Sequence, residues 1–123
     1  MEESYFSALV AIKEIKKKFI SLVNAFLKKE RIYNLKSDQA LALYYIGHRV
    51  IPIKELTYSG VYDGSNPSYL IHSMIEKGYL VSEVCPSDMR VVHISAAEKG
   101  KEFFEKMKVF FQSLEGQEGI RLD

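Results

Sequence analysis

Residues 53–100 read IKELTYSGVYDGSNPSYLIHSMIEKGYLVSEVCPSDMRVVHISAAEKG, and this stretch decides the fold. Its punctuation separates a short helix, a turn, a second helix, a β-hairpin and the start of a further helix. The second helix opens at Asn66-Pro67. Asparagine is a strong N-cap, and proline suits the first helical position because the amide it lacks would be unpaired there. Leu70, Ile71, Met74 and Ile75 then recur at the spacing of one buried helical stripe. That leaves Ser65, Ser68, Tyr69, His72, Ser73 and Glu76 facing outward. Gly78 stands where a C-terminal glycine ends a helix.

The hairpin follows at once. Residues 79–84 and 90–95 alternate as two strands, and residues 85–89 join them with turn chemistry in Pro86, Ser87 and Asp88. Upstream, Ser37 caps a helix that runs to Ile46 and stops at Gly47, and Pro52 starts the next, about 53–59. Residues 60–64 form the turn before the second helix. This is the order of a winged helix-turn-helix, with one helix shaped for a DNA groove and a β-ribbon beside it. Serine, tyrosine and histidine on the outer helix face suit contacts to base edges and phosphates. The same face also fits an ordinary amphipathic helix with a polar exterior.

Four segments resemble the MarR family of bacterial transcription regulators, in a short variant. They are Ser65-Asn66-Pro67-Ser68-Tyr69, Ile75-Glu76-Lys77-Gly78-Tyr79-Leu80-Val81, Asp88-Met89-Arg90 and Ala97-Glu98-Lys99-Gly100. The resemblance implies that Ser65, Asn66, Ser68, Tyr69 and His72 lie where the family reads the major groove. It implies that Arg90 enters the minor groove from the wing and that Asp88 braces it. A dimer is implied as well.

The terminal segments support that architecture. Tyr5, Ala8, Ile12, Ile15, Phe19, Leu22 and Phe26 form a heptad seam on a helix over about 4–30, with Leu9, Ile20, Val23 and Leu27 in a second stripe. A helix with two apolar stripes needs two partners, and on one reading these are its own domain and a second subunit. A central core helix of a monomer is the other reading. Ser95-x-x-Glu98 has the form of a capping box for the last helix, over 96–115. That helix carries Phe103, Met107, Phe110 and Leu114 in one stripe, with Phe104 and Phe111 beside it. The expected dimer interface is Ala8, Ile12, Ile15, Phe19, Phe103, Met107, Phe110, Phe111 and Leu114. Beyond Glu115 the chain is expected to fray.

Charge is the main argument against a DNA binder. The 123-residue chain carries a formal charge of +1. Within 36–95, five bases (Lys36, Arg49, Lys54, Lys77, Arg90) meet six acids (Asp38, Glu55, Asp63, Glu76, Glu83, Asp88), which leaves −1. Nucleic-acid binders are often strongly basic. Any DNA face therefore depends on local arrangement, including the partial positive charge of the helix N-terminus at Asn66-Pro67-Ser68. The Lys16-Lys17-Lys18 run reads as solvated surface, though it could touch DNA.

Other chemistry finds little support. A single cysteine makes no internal disulfide, and three scattered histidines (His48, His72, His93) give no metal-ligand spacing. No glycine-rich phosphate loop or catalytic constellation stands out, so neither enzyme nor cofactor is expected. The amphipathic, lysine-containing start argues against a signal peptide, and no apolar run has the length of a membrane span. Tyr58, Tyr62 and Tyr69 surround the helix-turn-helix turn, where they either touch phosphate or edge the core; for Tyr58 the core edge is the preferred reading. His72 could read a base or a phosphate or sense pH, or it could be plain surface. Cys85 at the wing base is a redox sensor or, more in keeping with a lone strand-end cysteine, a small packed residue.

The expectation is thus a single mainly α domain over 1–123 with a small β-hairpin wing at 79–95. Its DNA-binding core spans 36–95, and it dimerises through the terminal helices at 4–30 and 96–115. It would be cytoplasmic and nucleoid-associated, binding double-stranded DNA as a homodimer at a pseudo-palindromic site to regulate transcription, with no effector assigned. The alternative is a winged-helix protein-interaction module without DNA binding. The near-neutral charge and the lack of arginine on the second helix speak for it.

Overall fold

The computed structural model describes residues 2–59 and 67–115. The elements run α1 (Glu2–Lys29), α2 (Ser37–Ile46), β1 (Ile51–Pro52), α3 (Ile53–Tyr58), α4 (Pro67–Glu76), β2 (Leu80–Cys85), β3 (Asp88–Ala96) and α5 (Glu98–Glu115). They fall into two compact units, 1–37 and 38–123.

The first unit is α1 and the segment after it. Lys28 and Lys29 occupy the last turn of α1, where cations complement the negative end of the helix. The helix closes in a Schellman motif. Ile32 N–H donates to the Leu27 carbonyl at 2.9 Å and Arg31 N–H to the Lys28 carbonyl at 3.1 Å. Arg31 takes the left-handed position with φ 57°, a place usually given to glycine. Val23, Phe26, Leu27 and Leu35 are buried, whereas Tyr5, Phe6, Leu9, Val10, Ile12 and Ile15 are exposed. The seam read from the sequence is therefore buried at one end of α1 and open at the other.

In the second unit, α2, α4 and α5 accompany a three-stranded antiparallel sheet of order β1-β3-β2. Leu43, Ile46, Leu56, Met74, Leu80, Ile94 and Met107 are among its fully buried side chains. β1 was not anticipated. Ile51 pairs with Ile94 and Pro52 with His93, which fastens the start of α3 to the wing strand. Pro52 forms the N-cap of α3 with φ −69°, where a residue without an amide loses nothing.

The helix ends follow the sequence. Gly47 has φ +56° and donates to the Leu43 carbonyl at 2.9 Å, closing α2. Gly78, at φ +84°, closes α4: its amide donates to Ile75 at 3.0 Å and the Tyr79 amide to Met74 at 2.9 Å, a Schellman motif. Lys99 Nζ donates to the Lys77 carbonyl at 3.2 Å and stands 4.4 Å from the Tyr79 ring centre, a cation at the negative end of α4.

The start of α5 corrects the expected capping box. Ser95 lies inside β3 opposite Val81, because the β2–β3 register continues to Leu80 and the buried Ala96. Ala97 holds the cap position instead, accepting the first helical bond from the Lys101 amide at 2.9 Å. Ala97 N–H donates to the Tyr79 carbonyl at 3.0 Å. Gly100 passes so close to that carbonyl that a Cβ would collide with it. The glycine of Glu98-Lys99-Gly100 is thus required by a backbone approach.

Candidate nucleic-acid interface

α4 buries Leu70, Ile71 and Met74 and packs on β2. Its opposite face presents Ser68, Tyr69 and His72, all exposed, with Tyr69 at 72%. Ser65 and Asn66 lie outside the described residues, as do Tyr62 and the turn at 60–64. His72 Nε2 stands 3.1 Å from the Glu76 carboxylate one turn on. Ser73 does not belong to this face as expected. It is half-buried, and its Oγ accepts from the amide Nε2 of the buried Gln39 of α2 at 3.4 Å. Burying the Gln39 amide requires a partner, and Ser73 supplies one.

The wing is tighter than its sequence suggested. Cys85 pairs with Asp88, so only Pro86 and Ser87 form the turn. The next pair is Val84 with Val92, which leaves Met89, Arg90 and Val91 of β3 opposite no residue of β2. Bulges of this kind re-aim side chains. Arg90 is held there by Asp88. Its Nε donates to Oδ1 at 3.1 Å, a terminal guanidinium nitrogen to Oδ2 at 3.3 Å, and its backbone N–H to Oδ1 at 3.1 Å. The Arg90 side chain is 91% exposed and so is fixed in direction yet open to solvent. The Arg90 bonds hold the Asp88 carboxyl below the ordinary aspartate value, and the Lys54 charge acts in the same sense. Beside them the Cys85 thiol lies 3.2 Å from the Ser87 hydroxyl, and this contact and the local amides lower its pKa.

Two residues at this surface, Lys54 and Met89, were not singled out from the sequence, and a third, Tyr58, lies otherwise than expected. Lys54, in the first turn of α3, is close enough to Asp88 to influence its ionisation. Its approach depends on the β1–β3 pairing, which no local pattern announces. Tyr58, expected at the edge of the core, is 82% exposed at the end of α3. Met89, at the wing tip, is 80% exposed. Arg49, by contrast, is engaged: it donates to Glu55 at 3.0 Å and to the Tyr45 carbonyl at 2.6 Å, and lies 4.6 Å from the Tyr45 ring centre.

On the terminal helices, Ala8, Ile12 and Ile15 are exposed and Phe19 is half-buried. On α5, Phe110, Phe111 and Leu114 are half-buried, and Val109 is exposed although the sequence stripe omitted it. Phe103 and Met107 were expected at a subunit interface but are buried in the single chain. Phe103 meets the edge of Tyr79, with ring centres 6.3 Å apart. His48 bonds Glu105 at 2.7 Å and holds its carboxyl below the ordinary value, which ties the end of α2 to α5.

Residues 35–100 match the family described as Winged helix DNA-binding domain. The chain belongs to that family. As a winged-helix protein it is also similar to solved structures. A MarR-like transcription regulator from Bacillus cereus is 17% identical with a TM-score of 0.73, over 98% of this chain and 86% of that one. FabT from Streptococcus pneumoniae, solved in complex with DNA, is 16% identical with a TM-score of 0.77, over 96% and 85%. A MarR mutant from E. coli complexed with operator DNA is 18% identical with a TM-score of 0.69, over 92% and 83%. These likenesses show the winged-helix fold. Among curated proteins, the exopolysaccharide II synthesis transcriptional activator ExpG of Rhizobium meliloti is 28% identical over 99 residues. The match covers 80% of this chain and 51% of that protein, so the chain spans about half the length of its relative. No described helix is long and apolar enough to cross a membrane.

Proposed function

We propose that this winged-helix protein binds double-stranded DNA as a homodimer at a pseudo-palindromic site and thereby regulates transcription at the nucleoid. The observation that carries the reading is the wing tip. An arginine bonded three ways to one aspartate, yet almost wholly exposed, is pre-organised to engage a ligand outside the chain. α4 supplies Ser68, Tyr69 and His72 as hydrogen-bonding groups for the major groove. Arg90 of the wing and Lys54 of α3 supply positive charge, as a polyanion requires. Ser65 and Asn66 join the major-groove set by their sequence position.

Dimerisation rests on the open end of α1. Ile12, at 62% exposure, belongs to a run of large apolar side chains with no cover in one chain. A second copy would cover Ala8, Ile12, Ile15 and Phe19 on α1, and Phe110, Phe111 and Leu114 on α5. The whole chain then works as one domain, with 36–95 as the DNA-binding core and the outer helices as its dimer arms. Recognition helices of such a dimer lie about 34–36 Å apart, one turn of duplex. The protein acts as a binder and not as an enzyme, like the regulators it resembles.

The test is selection of bound sequences from a random duplex pool. An inverted repeat with half-sites one helical turn apart is the expected product. Ser68→Ala combined with Tyr69→Ala should abolish that selection while the dimer persists. A double variant that recovers the same sequence would remove α4 as the reader. The second reading, a protein-interaction module, draws on Glu76, whose exposed carboxylate beside His72 opposes phosphate. Failure of the wild type to bind any duplex at low salt would favour it.

A further inference from the structure

The wing tip carries a large apolar side chain beside its cation. Met89 is 80% exposed, in a bulge where neither it nor Arg90 faces a residue of the partner strand. An exposed methionine at this point contributes nothing to the core of the chain. Its surroundings are stiff. Pro86 fixes one backbone angle of the two-residue turn, Ser87 contacts the Cys85 thiol, and Asp88 grips Arg90 through both backbone and side chain. A side chain presented from so ordered a segment loses less freedom on binding.

We infer that Met89 is a second specificity-determining residue of the wing, an apolar wedge seated against the sugars and base edges of the DNA minor groove beside Arg90. This rests on the DNA-binding reading and adds to it. Charge complementarity favours a polyanion, because the Arg90 guanidinium is held by Asp88 yet almost wholly open to solvent, and the Lys54 charge bears on the same carboxylate. The minor groove is about 6 Å wide, which excludes the hairpin backbone but admits single side chains extended from its tip. Its walls are largely deoxyribose carbon, an apolar surface that a cation alone does not cover. Apolar side chains that enter this groove unstack and kink base steps, and pyrimidine–purine steps yield most easily. Arg90 then selects narrow A·T-rich flanks by charge, and Met89 selects a deformable step within them.

The experiment uses the full chain and the duplex selected by the wild type, with flanks carrying TA, CA or stiff A-tract steps under the wing. Met89→Ala should lower affinity for TA- and CA-flanked sites about tenfold, the scale of one methionine burial. It should leave the salt slope and the A-tract affinity unchanged. Met89→Leu should keep the preference. Circular dichroism and thermal unfolding of both variants should match the wild type, since the position is exposed. An alanine variant with wild-type affinity and the same step preference would overturn the wedge while leaving Arg90 and α4 as readers. A wild type that selects no duplex would overturn both the wedge and the DNA-binding reading, and that failure would appear before any variant is made.

Discussion

Gly100→Ala opposes two effects whose sizes decide its sign. Gly100 lies in the first turn of α5, where alanine is the better helix former by up to about 1 kcal/mol. Local propensity alone therefore predicts stabilisation. The surroundings predict the reverse. A Cβ would collide with the Tyr79 carbonyl oxygen and would sit 3.1 Å from Ala96 Cβ and 3.2 Å from Leu43 Cδ2. The first obstacle is backbone, which cannot rotate away. Overpacking of this kind costs about 1–3 kcal/mol. Moving the Tyr79 carbonyl also weakens the Ala97 N–H bond at 3.0 Å, for about 1 kcal/mol more. The net is a loss of about 2 kcal/mol. At about 4 °C per kcal/mol for a chain of this size, the melting temperature should fall by about 8 °C. Urea unfolding at constant m-value gives the free energy directly. An alanine variant as stable as the wild type or more so would refute the close approach of α5 to Tyr79.

Arg31→Gly should do the opposite, raising stability by about 0.5–1 kcal/mol in the same urea titration, because a side chain at φ 57° is strained and glycine is not. Asp88 should titrate below the ordinary aspartate value in a carboxyl-detected NMR titration. Its folded pKa is depressed, so the Arg90 contact is present at neutral pH and is lost as acid drives the pH down through that depressed value. Arg90→Ala should raise the midpoint toward the ordinary range but not fully restore it, because the residue-90 backbone N–H and the Lys54 charge remain. Ile15→Asp should convert the dimer to monomers or unfold it in sedimentation at micromolar concentration, since a charge would replace an apolar contact. A wild type that sediments as a folded monomer there would refute the dimer.

Much of this fold is local chemistry and could be read from the sequence. α2 begins at Ser37 and ends before Gly47, and α4 begins at Pro67 and closes at Gly78, because caps and left-handed glycines depend on neighbours in sequence. The features missed depend on distant partners. β1 is two residues long and exists only because Ile51 and Pro52 meet β3 some forty residues later. Ser95 has the form of a cap but stays in a strand, since the β2–β3 register carries on to Ala96. Phe103 and Met107 share the stripe of Phe110 and Leu114, and periodicity alone does not divide a stripe between one chain's core and an outer face. At the site, Asp88 and Arg90 were legible because they stand two residues apart. Lys54 and Ser73 were not, because their partners, Asp88 and Gln39, lie 34 residues away along the chain.

On the proposed reading, this near-neutral protein recognises a DNA sequence by hydrogen bonds and a single wing cation more than by bulk charge. Affinity for the selected site and for random duplex, measured across a salt series, tests it most directly. Each neutralised phosphate contributes about −0.9 to the log–log slope. Few bases lie in the DNA-binding core, and Arg49 is engaged with Glu55 and Tyr45. A shallow slope, weak non-specific binding and a specificity ratio that survives added salt are expected on that reading. A steep slope with no preference for any sequence would contradict it and would point to the Lys16-Lys17-Lys18 run as the binding surface.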